Sequence, residues 1–359
     1  MMKMNRKVVD SHYHVYGWTN WENLDMFQSL KAYQEGAGLE AVNLCALPCL
    51  HEKPFCGVEN NIMMALCKLR DPKLYISGGI TYPEFPVPAQ LPEGMDPLTQ
   101  YKELMEIGFD GIKMLETKPT EAKAIGRPVN DPLYEPYFAE LEEKGTHIVW
   151  HVNDPLDFWD PKNAPENCQA AGWWYGDGTF PTKEEIYTQV FDVLDRHPKL
   201  NITFAHFFFL SDEIDRLKNV FAKYPNVCVD LTPGVEMYGS FGKDSAFFHN
   251  FFTEYADRVV YGTDASDWGT REENVALANE VYRFLTTDED VKFWIFESKG
   301  VKLGEKALEK ILRGNFLKKI GGAPKPINVE ALKAYVKKYR HMVLLEDLGE
   351  HIDEEMAKL

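Results

Sequence analysis

Apolar segments of β-type composition recur along this chain at a nearly even interval, and each is followed by a charged stretch with helical patterning. They are VVDSHYH (8–14), AVNLCALP (41–48), LYISGGITYP (74–83), GIKML (111–115), HIVWHVN (147–153), ITFAHF (202–207), VCVDLTP (227–233) and VVYGTDA (259–265). Their β-branched and aromatic content predicts strands. Successive starts differ by 33, 33, 37, 36, 55, 25 and 32 residues. Such an interval holds a strand, a helix and two turns, so the rhythm predicts βα units in a parallel sheet, and eight of them predict an α/β fold of the (β/α)8 TIM-barrel type. A doubly wound open sheet competes with this reading, and the lack of a glycine-rich phosphate turn after the first strand argues against it.

Helical patterns fill the gaps, among them ENNIMMALCKLRD, PLTQYKELMEIG, TKEEIYTQVFDVLDRH and TREENVALANEVYRFL, and several stop at glycine, a common helix terminator. The long interval contains NDPLDFWDPKNAPENCQAAGWWYGDGTFP, rich in Pro, Gly, Asn and aromatics, which predicts an ordered loop after strand 5 at the barrel's C-terminal mouth. EKALEKILRGNFLKKIGG reads as the last barrel helix, and a Pro-rich break follows it. These signals divide the chain into a barrel over 1–322 and a C-terminal helical extension over 323–359, in which Asn328 caps a helix whose Val329, Leu332, Val336 and Tyr339 share one face. The extension is expected to dock on the barrel or on a partner subunit.

With 359 residues, 45% of them hydrophobic, the chain can bury a large core. Its longest apolar run, around ITFAHFFFL, is far shorter than the roughly 20 residues of a membrane helix, and the MMKMNRK start lacks a signal-type apolar segment, so a cytoplasmic location is expected. The six cysteines form no C-x-x-C pair and lie mostly in apolar segments, as reduced core thiols do. A formal net charge of −17 argues against nucleic acid or an anionic membrane as partner, since both are bound through basic patches. A small-molecule substrate fits better.

Chemistry enters with VDSHYH. Strict alternation in a strand would send Asp10, His12 and His14 to one side and Val9, Ser11 and Tyr13 to the other, leaning two imidazoles the same way. His151 ends the fifth predicted strand, His206 the sixth and Asp264 the eighth. In a closed barrel those ends converge on one mouth, where catalytic residues sit. Imidazoles with a carboxylate match one divalent metal ion, zinc first and manganese second, with a position left open for water or substrate.

The order H-x-H, His, His and Asp, carried by VDSHYH, IVWH, ITFAHF and YGTDAS over roughly residues 8 to 320, resembles the amidohydrolase superfamily. More narrowly it is similar to the amidohydrolase-related branch that includes aminocarboxymuconate-semialdehyde decarboxylase and the resorcylate-type decarboxylases alongside true hydrolases. The resemblance implies His12, His14, His151 and Asp264 as metal ligands. It implies His206 as the strand-six histidine that stays off the metal and moves protons or polarises the substrate. Binuclear relatives use a carboxylated strand-four lysine, the place that Lys113 occupies, but this branch usually holds one metal, so Lys113 is expected as a hydrogen-bonded interior lysine, and Glu116 just after it is a weaker candidate ligand or base. A dimer is expected from the resemblance and the extra helix.

Other polar residues are weighed by position. His51 follows strand two and can reach the mouth or stay on a surface loop, and Arg127 and Arg271 follow strands four and eight, where they can clamp a substrate carboxylate, although surface solvation accounts better for each. Trp173, Trp174 and Tyr175 of the long loop can stack on a planar substrate or simply anchor the loop. The leading function is metal-dependent hydrolysis of a small cyclic ester, lactone or amide, with metal-activated water, Asp264 as proton acceptor and His206 polarising the carbonyl. Non-oxidative decarboxylation of an aromatic or unsaturated acid is the alternative, and a barrel that binds metal without turnover is the third reading. Because the ligands come from distant strands, bound metal should stiffen the barrel, so complete chelation is expected to lower the melting temperature. An unchanged transition would contradict a shared metal site.

Overall fold

The computed structural model describes residues 4–15, 26–48, 57–160, 162, 164–234, 236–267, 269–293, 296–343 and 345–359. Nine parallel strands form its main sheet: β1 (Val9–His14), β2 (Ala41–Cys45), β3 (Tyr75–Gly78), β4 (Gly111–Thr117), β5 (His147–Val152), β6 (Asn201–Phe204), β7 (Val227–Asp230), β8 (Val259–Val260) and β9 (Ala265–Ser266). Neighbours follow chain order from β8 back to β1, and β9 pairs with β1 on its other edge. β8 and β9 are two pieces of one segment, one bonded to β7 and the other to β1. Ser11 N also donates to Tyr261 O at 3.2 Å and Asp264 N to His12 O at 2.9 Å, so the sheet closes on itself as a barrel.

The helices form where their termini are specified. Asp96 caps α3 (Pro97–Ile107) by accepting from Thr99 N, with Pro97 at the first helical position and Gly108 ending it at φ 110°. Thr182 with Glu185 and Thr270 with Glu273 make reciprocal capping boxes that start the helices Lys183–Arg196 and Arg271–Thr286. Their apolar faces cover the strands, which are buried on both sides. Between β7 and β8 lie two helices, Met237–Lys243 and Ser245–Glu254, and an antiparallel hairpin pairs Asp290–Phe293 with Phe296–Lys299.

Six of the eight strands stop short of the C-terminal end of the apolar segment that predicts them, while β1 ends with its segment and β4 runs two residues beyond. β6 stops at Phe204, and the eighth segment breaks between Val260 and Ala265. Asn153, His206 and Asp264 have φ of 69°, 53° and 60°, so the backbone leaves the strand where the candidate site begins. The opposite end is a dry plug of Val9, Ala41, Tyr75, Cys228, Val260, Phe316 and Ile320. His147 belongs to this end, with Nε2 2.9 Å from Thr203 Oγ1, as expected for a structural histidine. Cys45, Cys67, Cys168 and Cys228 are buried thiols, and no helix is long and apolar enough to cross a membrane among the described residues.

The extension helix Val329–Tyr339 lies against α2 (Gly57–Arg70) and α3. Tyr335 OH accepts from Asn61 Nδ2 at 3.0 Å, and Tyr339 OH donates to Glu103 Oε2 at 2.7 Å. Its linker is pinned by Asp110, which accepts from Lys325 N, Ile76 N and the ammonium of Lys68 at 2.8, 2.9 and 2.5 Å. The Lys68 and Asp110 side chains are 1% and 2% exposed, so neither charge has water as a substitute partner. Asp110→Ala strands a buried ammonium and should destabilise the fold by about 3–5 kcal/mol. Urea unfolding checks this, and a loss under about 1 kcal/mol, the range of a surface pair, would show the pairing to be incidental.

Candidate metal centre

β1 carries an irregularity in its pairing with β2 between Asp10 and Tyr13, and this local bulge overturns strict alternation. Asp10 does not share a face with His12 and His14. Its carboxylate accepts from Tyr33 OH of α1 (Met26–Ala37) at 2.7 Å, and Tyr13 stacks on the same Tyr33 ring, so both meet the helix layer. The two histidines turn inward instead, with their Nε2 atoms 3.1 Å apart. Asp264 Oδ1 lies 3.0 Å from His14 Nε2 and 3.6 Å from His12 Nε2. Among the described residues these three are the group whose donor atoms can share one metal ion.

The other ring nitrogens fix which atoms can ligate. His12 Nδ1 is 3.0 Å from Asp230 Oδ2, and His14 Nδ1 is 2.9 Å from Cys45 O. Each acceptor requires an N–H at Nδ1, which leaves a lone pair on each Nε2. Burial, followed by the neighbouring Lys113 ammonium, holds His12 well below the ordinary imidazole range, so it is neutral. Burial pulls the Asp264 carboxyl up, but the imidazoles of His14, His206 and His12 outweigh it and keep it below its ordinary range. Two lone pairs and a carboxylate oxygen facing one another offer a cation three ligand atoms, one of which, His12 Nε2, also has the Lys113 ammonium as a neighbour. The donor set therefore fits a divalent ion of zinc type. Lys113 Nζ, 3.0 Å from His12 Nε2, brings the strand-four lysine to the same place.

Two further carboxylates hold the set together. Asp10 accepts from His12 N and Thr263 N through one oxygen and from Thr263 Oγ1 and Tyr33 OH through the other, tying the start of one ligand strand to the residue before Asp264. Asp230, at the end of β7, gives Oδ2 to His12 and accepts His206 N on Oδ1 at 2.8 Å.

His206 stands on a turn, not on β6. His206, Phe207, Phe208 and Phe209 have φ of 53°, 57°, 60° and 49°, four successive left-handed residues without a glycine. That conformation costs roughly 1–2 kcal/mol per L-residue. The helix Lys183–Arg196 offsets it: Tyr187 OH reaches Phe208 O at 2.8 Å and Phe209 O at 3.3 Å, and Lys183 Nζ donates to Phe209 O at 3.0 Å. Phe208 stacks on Phe204 with centroids 3.9 Å apart. The result points the His206 ring toward His12 and His151, at centroid separations of 5.9 and 4.8 Å. Burial lowers His206 to about 4, so its imidazole is neutral at pH 7.

His151 reaches the same mouth but stands outside the His12–His14–Asp264 group. Its Nε2 faces Asn153 O at 2.9 Å and Asp154 Oδ1 at 3.3 Å, which leaves Nδ1 as the nitrogen with a lone pair. The long loop attaches here too. Tyr175 is buried, and its hydroxyl donates to Asp154 Oδ2 at 2.5 Å, where the Lys118 ammonium also binds at 2.6 Å. Tyr175 thus anchors the loop and is not turned to a substrate. Trp173 is 39% exposed, with Lys118 Nζ 4.8 Å from its ring centroid, and Trp174 is half-buried. Arg127 is spent on Val87 O and Asp131, and Arg271 is exposed on a barrel helix that packs against α1, so neither guanidinium is brought to the metal group. Glu116 accepts from Leu115 N and Tyr82 OH and also stays out of that group. His51 lies outside the described residues.

Comparison with known proteins agrees with this fold. The model of the family described as Amidohydrolase matches residues 49–317. Among solved structures, a putative amidohydrolase from Staphylococcus aureus is 14% identical with a TM-score of 0.54, covering 88% of this chain and 100% of its own. 2,6-Dihydroxybenzoate decarboxylase in complex with 2,6-dihydroxybenzoate is 16% identical with a TM-score of 0.53, covering 89% and 100%. 5-Carboxyvanillate decarboxylase from Sphingomonas paucimobilis is 13% identical with a TM-score of 0.51, covering 88% and 99%. No curated protein matches the chain. The fold is that of the TIM-barrel enzymes, and the chain belongs to the amidohydrolase family, whose members typically use a divalent metal.

Sequence reasoning missed Asp230, Asp154, Tyr187 and Lys183. Asp230 was within reach, because VCVD ends in a carboxylate as YGTD does. Nothing local marks Tyr187, whose role depends on a turn that no strand pattern foretells. Removing its hydroxyl leaves two strained carbonyls with one fewer donor, so Tyr187→Phe should cost about 1 kcal/mol of stability and lower kcat more than it changes KM. Thermal unfolding with steady-state kinetics checks both, and a variant with unaltered kcat would free the turn from any part in placing His206.

Proposed function

We propose that this enzyme hydrolyses a small neutral carbonyl compound, a lactone, cyclic ester or amide, with His206 as the proton-transfer group. The observation that carries the reading is the convergence of His12 Nε2, His14 Nε2 and Asp264 Oδ1 beside a neutral, orientated His206. A divalent ion bound there supplies Lewis acidity, which acidifies water and polarises a carbonyl. His12, His14 and Asp264 would hold it, joined by His151 through Nδ1. Asp264 turns one oxygen to the imidazoles and has the other to orient an attacking water and accept its proton. His206 Nδ1 is 3.3 Å from Thr232 O, an acceptor that takes the Nδ1 proton and leaves Nε2 basic. A neutral imidazole with that tautomer accepts a proton before it can donate one, so His206 takes over the proton that Asp264 has accepted from water and delivers it to the leaving group.

Decarboxylation needs a cation and a planar surface for a substrate carboxylate and ring. Here Arg127 is engaged with Val87 O and Asp131, Arg271 is exposed on a barrel helix, and Lys118 is already paired with Asp154, which favours hydrolysis. A paired assay of lactones and aromatic acids with the same preparation tests the choice. Hydrolysis is expected, with His206→Ala reducing kcat by about 10²–10⁴-fold. Release of CO₂ from an aromatic acid without hydrolysis of any lactone or amide would reverse the assignment.

A further inference from the structure

One carboxylate at the mouth is used by nothing described so far. Glu236 follows β7, two residues beyond Gly234, and one of its oxygens is satisfied by its own backbone N–H. The other, Oε2, is shielded from solvent and has no hydrogen-bond partner among the described residues. Its direction is defined by Gly234: a Cβ built there would meet Glu236 Oε2 at 3.4 Å, Phe209 Cε1 at 3.4 Å and His206 Cβ at 3.5 Å. The unused oxygen therefore opens on the small space that the missing side chain leaves beside His206. The ring of Phe209 packs against both histidines, 5.2 Å from His206 and 5.5 Å from His151 by centroid. Lys183 is the strongest positive charge felt by Glu236, but its ammonium is given to Phe209 O.

A buried acceptor without a donor is costly unless something brings one. Burial raises the Glu236 carboxyl to about 7, so above that pH it is an acceptor that a ligand N–H satisfies, whereas an oxygen, a methyl group or a carboxylate in this space leaves it unpaired or repels it. We infer that Glu236 is a specificity-determining residue that accepts a hydrogen bond from the N–H of an amide or lactam substrate. The enzyme is thereby biased toward amides within the carbonyl class; this rests on the hydrolytic reading of the same site. The glycine at 234 is part of the device, since a side chain would close the space that the N–H enters.

The test separates recognition from turnover. Binding of dihydrocarbostyril, a lactam, and of its N-methyl derivative is measured by ligand-detected NMR on the full metal-loaded enzyme, for wild type, Glu236→Ala and Glu236→Gln. Hydrolysis of dihydrocarbostyril and of the matching lactone dihydrocoumarin is followed in the same samples. Wild type should bind the N–H lactam about tenfold or more tightly than the N-methyl compound. The ratio should fall close to one in Glu236→Ala and lie between the two in Glu236→Gln, which keeps the shape and an acceptor oxygen. Equal ratios in wild type and Glu236→Ala, or no binding of either lactam by wild type, would overturn the inference. N–H-dependent binding without hydrolysis of either substrate would support the recognition role and count against the hydrolytic function alone.

Discussion

The arrangement depends on one buried carboxylate more than on any other group. Asp230 is 0% exposed, and burial raises its carboxyl above the ordinary range. It nevertheless binds strand one to strand six across the barrel: Oδ2 fixes the tautomer of His12, and Oδ1 accepts the backbone N–H of His206 and that of Thr232. A single side chain thus decides which nitrogen of His12 carries its proton and where the turn that bears His206 begins. Asp10 does the corresponding work between strands one and eight, joining His12 N to Thr263 just before Asp264. Neither carboxylate needs to touch a substrate, and the site's geometry follows from both.

Conformational strain is concentrated at this end of the barrel. The left-handed run from His206 to Phe209 and the positive φ of Asp264 and Asn153 all lie at C-terminal strand ends. Each is over-determined by its surroundings: aromatic stacking and three hydrogen bonds to Phe208 O and Phe209 O hold the turn, and Asp264 N is bonded to His12 O. The opposite end is regular and apolar, and stability resides there. The long loop joins the strained end through Tyr175 and Asp154, so its placement and that of His151 share one carboxylate.

Most of the barrel was legible because the physics that builds it is periodic. Strands buried on both faces read as apolar runs, and the capping boxes at Thr182 and Thr270 mark their helices in plain sequence. His12, His14 and Asp264 were legible for the same reason, since polar residues at the ends of apolar runs are conspicuous. What was not legible is aperiodic. The bulge in β1 turned Asp10 to the helices, AHFFF looked like strand but folds as a left-handed turn, and the break before Ala265 was hidden in YGTDAS. Arg127 and Arg271 failed as mouth residues because position after a strand says where a chain emerges and not where a long side chain finds its partner. Glu236 escaped notice because an isolated glutamate in a loop has no pattern at all.

The central claim is that His12, His14 and Asp264 form a metal site and that His206 acts beside it without holding the ion. Elemental analysis of protein purified without added metal, comparing wild type with His12→Ala and His206→Ala, tests it most directly. The account predicts about one zinc or manganese per chain in wild type and in His206→Ala, and loss of that metal in His12→Ala. Wild-type protein without metal, or His12→Ala retaining a full complement, would contradict it.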